Sequence, residues 1–306
     1  DGVVGFVSRK GVRVAAGAPI CSAEHRTQMS EEFALLDRTP VCYFGVEGQF
    51  AQEWSPRGKH TWICLGAQPC WQPKNWDEIV SAHSSLRAQF SRAKNKGVTI
   101  EEWSTARAER SDQLRHVLHV WLAERGLPPL HFLVEPETLS FLLDRRTFVA
   151  IHNGMPVAFL NLCPIPGRNG WLTEQFPRLP SAPNGTVELL MHVAAQTIAR
   201  EQAEFLTMGL VPLSRNVDPG ELPLWLRGMS GWARAHGRRF YNFQGLESFK
   251  SKFDPEWWEP LYVIVDGERF TPRHLHAIAA AFVEGSVAKA LLQGFGKAIV
   301  RSFQRR

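Results

Sequence analysis

The sequence lacks the long apolar runs and the paired cysteines that would place it inside a membrane or in a disulfide framework. Its longest apolar runs fall far short of the roughly 20 residues that a spanning helix needs, and no signal peptide opens the chain. Its five cysteines are odd in number, scattered, and without a C-x-x-C pair, which argues against disulfide ladders and four-thiolate zinc sites. A reducing, cytosol-facing compartment is therefore expected.

The sequence also lacks the fingerprints of the common nucleotide-binding and hydrolytic enzymes. It contains no G-x-x-x-x-G-K-[ST] phosphate loop, no G-x-G-x-x-G after a strand, no G-x-S-x-G elbow and no H-E-x-x-H motif. These absences argue against an ATPase, a Rossmann dehydrogenase, a serine hydrolase and a zincin. We expect neither a metal nor a cofactor.

What the chain does have is the composition of a folded protein and two local concentrations of positive charge. Of its 306 residues, 44% are hydrophobic and 21% are charged, which is typical of a globular protein and excludes a disordered one. The net charge of +5 is weak evidence for an anionic partner. Residues 86–97 and 285–306, however, carry several basic side chains and no acid.

Helix-like and strand-like segments alternate along the chain, which predicts an α+β protein with mixed, largely antiparallel sheets. In the first half, two short strands are predicted on either side of a turn at 9–11, and two further strands at 42–46 and 62–65. Helices are predicted at 24–36, 77–96 and 104–125. In the second half, the predicted strands are 148–152, 157–162, 171–176, 205–209 and 261–265, and the predicted helices 186–202 and 224–236.

Two turn signals organise this pattern. Asn153-Gly154 between two apolar runs predicts an antiparallel hairpin. Consecutive prolines at 128–129 cannot continue a helix and mark a boundary. The sequence therefore predicts two α+β domains, 1–126 and 127–270, and a separate helical tail at 271–306.

The segment 240–265, FYNFQGLESFKSKFDPEWWEPLYVIV, mixes aromatic and charged residues in a way that amphipathic periodicity alone does not explain. It resembles the catalytic domain of the phosphatidylglycerol lysyltransferases, the multiple peptide resistance factor family, which carry an Asn-Phe-x-Gly-Leu-x-x-Phe-Lys-x-Lys-Phe-x-Pro-x-Trp segment. Four further motifs resemble those of the family and follow in its order: Gly17-Ala18-Pro19, the basic segment 86–97, Ala182-Pro183-Asn184-Gly185 and Gly209-Leu210-Val211-Pro212-Leu213-Ser214.

The resemblance implies a tandem acetyltransferase-like (GNAT) fold that moves an amino acid from aminoacyl-tRNA onto a lipid headgroup. Phosphatidylglycerol is the expected acceptor, and the cytoplasmic face of the inner membrane the expected location. The implied partners are aminoacyl-tRNA, anionic phospholipid and the membrane surface. Many members carry an N-terminal membrane domain, which fits a chain that begins at Asp1.

Two acids depart from the family pattern. Better-known members read Asp-Leu-Met-Arg ahead of Pro-Asn-Gly-x-Met-Asp, whereas this chain has Glu174-Gln175-Phe176-Pro177-Arg178 and then Glu188 at the second aspartate. Each glutamate is longer by one methylene than the aspartate of the family. A pocket that binds a substrate ammonium is sensitive to the length of the side chain that carries the carboxylate. The amino acid and the acceptor therefore stay open.

Aminoacyl transfer needs the residue types found here. An aminoacyl ester is already activated, so its transfer requires positioning, help with one proton and stabilisation of a tetrahedral oxyanion. Glu174 and Glu188 are the expected catalytic residues, holding the α-ammonium of the substrate or acting as general base. The alternatives are a salt bridge for Glu174 and stabilisation of a helix N-terminus for Glu188.

Basic residues are the expected phosphate and tRNA contacts. Arg178, Lys250 and Lys252 suit the phosphate of the lipid or of the tRNA end, and we expect them to share one cavity with the two acids. Asn184 and Gly185 begin a helix and either present backbone N–H groups to an anion or form a capping turn. The expected tRNA contacts, which an ordinary exposed helix face would also explain, are Arg87, Arg92, Lys94 and Lys96.

The tail carries an apolar stripe. Its members, spaced by four residues, are Val287, Leu291, Phe295, Ile299 and Phe303. The stripe predicts an amphipathic helix that lies in the plane of an anionic bilayer, or a helix packed against the protein.

Two other functions remain open. One is an acyl-CoA or acyl-carrier dependent N-acyltransferase of the same fold, although its usual [QR]-x-x-G-x-[GA] loop is missing before the helix at 186. The other is a non-catalytic module that binds tRNA or a membrane.

Overall fold

A computed structural model describes residues 2–54, 60–124, 132–133, 136–236 and 243–283, and places an eleven-stranded sheet at their centre. The strands are β1 Phe6–Arg9, β2 Val12–Ala16, β3 Val41–Glu47, β4 His60–Trp71, β5 Thr99–Trp103, β6 Arg146–His152, β7 Met155–Ile165, β8 Gly170–Thr173, β9 Phe205–Thr207, β10 Val211–Pro212 and β11 Trp257–Asp266. The helices are α1 Arg26–Leu35, α2 Gly48–Trp54, α3 Trp76–Ala82, α4 Ser84–Asn95, α5 Thr105–Glu109, α6 Asp112–Ala123, α7 Thr186–Arg200, α8 Leu224–His236, α9 Phe243–Ser251 and α10 Pro272–Phe282.

The sheet is mixed and largely antiparallel, as the sequence predicts. Its strand order is β1-β2-β3-β11-β4-β9-β8-β7-β6-β5, with β10 paired to β4. Within it, β2 pairs with β3 and β8 with β9 in parallel, and the other neighbours are antiparallel.

The last strand of the described chain lies in the middle of the sheet. β11 pairs with β3 on one side and with β4 on the other, although both of those strands come from the first 126 residues. A division of the chain at residue 126 stays a prediction. The sheet continues without a break from the strands of residues 1–126 to those of residues 127–270.

The predicted hairpin forms as expected. Asn153 and Gly154 have φ of 52° and 74°, the left-handed region that two-residue turns between antiparallel strands require. They connect β6 to β7, which pair from Arg146 with Leu162 to His152 with Met155.

Two predicted helices are each divided in the structure. The segment 77–96 forms α3 and α4, because His83 between them adopts extended backbone with φ −109° and ψ 94°. The segment 104–125 forms α5 and α6, whose first turns are capped by the hydroxyls of Ser104 and Ser111. The structure also adds β5, which the sequence pattern did not predict.

Helices cover the two faces of the sheet between β5 and β8. Alternate residues of a strand point to opposite faces, and in β6 and β7 both sets are apolar. On one face of the sheet, which we call the α7 face, Phe148 and Leu160 pack with α3, α4 and α7. On the opposite face, which we call the α6 face, Val149 and Phe159 pack with α6.

The start of the predicted tail packs against the protein. α10 begins with a capping box between Thr271 and His274, and its Ala277, Ile278 and Ala281 join the core cluster of β2 and β11. The apolar stripe at 287–303 lies outside the described residues. Within the described ranges, no helix combines the length and the apolarity that crossing a bilayer requires.

Candidate functional site

The parallel strands β8 and β9 separate at their carboxyl ends. Their last register pair is Leu172 with Thr207. Beyond it, the chain after β9 turns towards β4, where β10 forms, and the chain after β8 continues as residues 174–185, which we call the strap, to the start of α7. In open sheets, ligands bind at the carboxyl ends of strands where neighbouring connections diverge. The strap carries Glu174, Arg178, Asn184 and Gly185.

Glu174 lies on the α6 face and is held by two neighbours. Its backbone N–H donates to the carbonyl of Asn161 at 2.9 Å, so that the side chains of these two residues lie on one face, that of Phe159. Its Oε1 is 2.9 Å from Nη2 of Arg145, and its Oε2 accepts a hydrogen bond from the Thr138 hydroxyl. The Glu174 side chain is 15% exposed.

Glu188 lies in the first turn of α7 and forms an ion pair with Lys252. The Lys252 ammonium lies 4.3 Å from the centroid of the Phe249 ring, which itself contacts Phe176 of the strap at 5.7 Å between centroids. The structure thus brings Glu188 and Lys252 together, as the sequence predicts. It places them on the α7 face.

The structure does not bring Glu174 and Glu188 together. Each has its own basic partner, Arg145 or Lys252, and the sheet lies between them. Two hollows in the described part of the chain, of about 450 Å³ beside Trp103 and about 290 Å³ beside Asp37, involve neither acid. The contacts of Glu174 on the α6 face and of Glu188 on the α7 face do not support one cavity that holds both carboxylates, and that cavity stays a prediction.

Lys250 points into the protein. The residue is 6% exposed, and its ammonium donates to the carbonyls of Met208, Gly209 and Leu210 at 2.5, 2.9 and 3.3 Å. Burial lowers the pKa of Lys250 to about 7. The predicted phosphate contact conflicts with this position, because the three N–H bonds of the ammonium are directed at the backbone that follows β9.

Gly185 is required by packing. It has φ +92°, and a Cβ on it would lie 2.1 Å from the carbonyl oxygen of Gln89 in α4. Its absent side chain lets the start of α7 approach α4. The neighbouring Asn184 is exposed, and Thr186 donates its hydroxyl to the Pro183 carbonyl at 2.6 Å. The anion-binding role of this turn stays a prediction.

The predicted tRNA contacts all lie on α4 or at its end. Arg87, Arg92, Lys94 and Lys96 are exposed, but Arg87 donates to the carbonyls of Val80 and Ser81 at the end of α3. Arg92 contacts only Gln89 of its own helix among the described residues, at 3.2 Å.

Arg178 of the strap is also exposed, and its backbone bridges to Ala158 of β7.

Sequence reasoning missed the polar residues around Glu174. Thr138, Arg145, Thr147 and Asn161 connect to it directly or through one another. One signal was present, because Asn161 interrupts an apolar strand, and a buried amide needs hydrogen-bond partners.

A second polar cluster lies further along the sheet, around Arg168. Its Nη1 is 2.6 Å from Glu259 and 3.2 Å from Glu47, and Gln68 donates to Glu259 at 2.8 Å. In the ranges that the structure describes, no group of three or more His, Cys, Asp or Glu side chains is placed to hold a metal ion.

The sequence is similar to two curated proteins. It is 26% identical over 301 residues to the lysylphosphatidylglycerol biosynthesis bifunctional protein LysX of Mycolicibacterium gilvum, covering 90% of this chain and 25% of that protein. It is 28% identical over 155 residues to the phosphatidylglycerol lysyltransferase of Staphylococcus epidermidis, covering 50% of this chain and 18% of that protein. The chain therefore spans a quarter or less of the length of these curated relatives.

Two solved structures share the fold. One, described as the C-terminal domain of a lysylphosphatidylglycerol synthetase from Agrobacterium fabrum, has a TM-score of 0.77 at 20% identity and covers 92% of this chain and 87% of its own. The other, L-PGS from Bacillus licheniformis, has a TM-score of 0.75 at 19% identity, and the match covers 93% of this chain and 87% of that chain. The predicted α+β class with a mixed, largely antiparallel sheet is confirmed, and the acetyltransferase-like description stays a prediction.

The family is shown by a match along most of the chain. A family model described as "Phosphatidylglycerol lysyltransferase, C-terminal" matches residues 1–265, which include every described strand except the last residue of β11. The match agrees with the resemblance carried by the five motifs. The chain belongs to the family of phosphatidylglycerol lysyltransferase C-terminal domains.

Proposed function

We propose that this chain transfers an amino acid from aminoacyl-tRNA to the headgroup of a membrane lipid, with phosphatidylglycerol as acceptor. The observation that carries the proposal is the family match over residues 1–265. The curated relatives support it, since each is named for lysylphosphatidylglycerol synthesis or lysyl transfer to phosphatidylglycerol. Lysine is the first amino acid to test.

In the proposed reaction, a hydroxyl oxygen of the lipid glycerol attacks the ester carbonyl carbon of the aminoacyl-tRNA. The attack forms a tetrahedral intermediate with a negative oxygen; its collapse breaks the bond to the ribose oxygen of the tRNA. One ester is formed and one is broken, and the proton of the attacking hydroxyl ends on the departing ribose oxygen.

Glu174 is the residue we place at the reacting groups. It lies at the end of β8, where the strands separate, and its carboxylate is partly exposed at 15%. A carboxylate there accepts a hydrogen bond from the substrate ammonium or takes the proton of the attacking hydroxyl. Lys252 on the α7 face and the exposed Arg178 are proposed to bind the phosphates, and Glu188 orients the Lys252 ammonium through their ion pair.

The remaining predicted contacts complete the proposal. The exposed basic side chains of α4 follow the tRNA backbone, where they displace condensed counterions. The apolar stripe at 287–303, which the sequence predicts to be amphipathic, binds the anionic surface of the inner membrane at its cytoplasmic face.

The proposal is tested by incubating the 306-residue chain with phosphatidylglycerol vesicles and one radiolabelled aminoacyl-tRNA at a time. Labelled lipid is expected from at least one of them. Glu174→Gln is expected to lower the initial rate by about 100-fold or more. The control Glu201→Gln also removes a carboxylate paired with an arginine, Arg146, but at the end of α7, and should retain the wild-type rate.

Each negative outcome has a separate meaning. If no aminoacyl-tRNA yields labelled lipid, the proposal is refuted. Transfer from acyl-CoA instead would establish the N-acyltransferase alternative. Binding of tRNA or vesicles without turnover, unaffected by Glu174→Gln, would establish a binding module.

A further inference from the structure

A chain of buried hydrogen bonds leads across the sheet to Glu174. Thr147, Asn161 and Thr138 are each only 1% exposed, and Thr147 and Asn161 are paired on β6 and β7. The Thr147 hydroxyl lies 2.9 Å from Oδ1 of Asn161. Nδ2 of Asn161 lies 3.1 Å from the carbonyl oxygen of Thr138 and 2.8 Å from its hydroxyl oxygen, and that hydroxyl contacts Glu174.

The direction of each hydrogen bond follows from one group, the main-chain carbonyl of Thr138. A carbonyl only accepts, so the NH₂ end of the Asn161 amide faces Thr138. The amide oxygen then faces Thr147, whose hydroxyl donates to it. Because Asn161 also donates to the Thr138 hydroxyl oxygen, the single hydrogen of that hydroxyl is left for Oε2 of Glu174.

Glu174 therefore receives a donor on each oxygen. Arg145 contacts Oε1, and the Thr138 hydroxyl contacts Oε2. Hydrogen bonds to an ionised carboxylate are stronger than those between neutral groups, and these two partners donate to the carboxylate. Each oxygen has a second lone pair, so the exposed part of the side chain can still accept from a bound molecule.

We propose that Thr138 and Asn161 are positioning residues that fix the Glu174 carboxylate as a hydrogen-bond acceptor for a donor group of the aminoacyl-transfer substrates. The inference rests on the proposed function and extends it, because it names the residues that hold Glu174 in the part of acceptor or general base. It also explains why an amide and two hydroxyls are buried next to the apolar cluster of the α6 face.

The first test changes the hydroxyl. Thr138→Val keeps the shape of the side chain and removes the donor, whereas Thr138→Ser keeps the donor. Hydrogen bonds to charged groups contribute enough that Thr138→Val is expected to lower kcat/KM by about 10- to 100-fold, with recovery to within about threefold of wild type in Thr138→Ser. Asn161→Asp offers only acceptors, draws the Thr138 hydrogen away from Glu174, and is expected to act like Thr138→Val.

A double-mutant cycle separates positioning from a general loss of structure. If Thr138 acts through Glu174, Thr138→Val has no further effect in the Glu174→Gln background. A merely structural role would instead make the two effects multiply. Urea denaturation of each variant at the assay temperature verifies that the folded state is populated.

A crystallographic comparison decides the inference independently of turnover. In Thr138→Val the Glu174 carboxylate is expected to leave the position it keeps in Thr138→Ser. The inference is overturned if the active Thr138→Val variant keeps the wild-type kcat/KM, or if the two effects multiply. If the wild type transfers nothing, the proposed function fails, and an unmoved Glu174 in Thr138→Val then overturns the positioning role as well.

Discussion

Replacing Gly185 by alanine is expected to separate the start of α7 from α4. The new Cβ would lie 2.1 Å from the Gln89 carbonyl oxygen and 3.4 Å from the Cβ of Ala93. Both neighbours belong to a helix, so neither can rotate away as a flexible side chain would. One of the two helices must shift.

The expected loss has two parts. A residue with a side chain at φ +92° is destabilised by about 1–2 kcal/mol relative to glycine, and the overpacking adds about 1–3 kcal/mol. The free energy of unfolding should therefore fall by roughly 2–5 kcal/mol, the sum of these two ranges.

Gly154→Ala is the matched control. Gly154 also has positive φ, +74°, but no atom lies within 4 Å of its Cβ position, so that only the backbone part applies. Urea denaturation of both variants, followed by circular dichroism, measures the difference. Equal losses for the two alanine variants would refute the argument that Gly185 is required by the contact with α4.

Three further predictions concern titrating and exposed groups. Burial lowers the pKa of Lys250 to about 7, so the unfolded chain binds more protons between about pH 7 and about pH 10, and the free energy of unfolding should rise with pH there. Urea titrations should show no such rise in Lys250→Met. Burial, and then the charge of Lys94, lower the pKa of His192 to about 4, so acidification from about pH 6.5 to about pH 4 should reduce stability. His192→Gln should show less of this loss in denaturation curves. Arg92→Gln and Lys96→Gln should each reduce the slope of log affinity for tRNA against log salt concentration by about 1, measured by filter binding; an unchanged slope would contradict the tRNA contact.

Local features of the fold could be predicted from the sequence where a few adjacent residues determine them. Asn153-Gly154 was sufficient for the hairpin, because only left-handed backbone connects two such strands so tightly. The break at His83 was missed, since no glycine or proline marks it. The length of β4 was underestimated, because Gly66 and Pro69 interrupt the strand pattern.

Sequence patterns could not identify which side chains surround the site. Lys250 lies in the last turn of α9 and Lys252 just after its end. The first contacts backbone carbonyls and the second an acid. Their order along the chain does not say which is buried. Likewise, the partners of Glu174 come from 36 and 29 positions earlier, Thr138 and Arg145, which only the assembled sheet brings near.

The place of β11 between β3 and β4 has a consequence for synthesis on the ribosome. Until residue 266 has left the exit tunnel, the facing edges of β3 and β4 lack the strand that joins them, and open strand edges invite pairing with other chains. Contacts this distant along the chain also slow folding. The nascent protein therefore exposes an incomplete sheet from the emergence of β4 until that of β11, and a product that terminates before Trp257 is expected to aggregate instead of folding as a smaller unit.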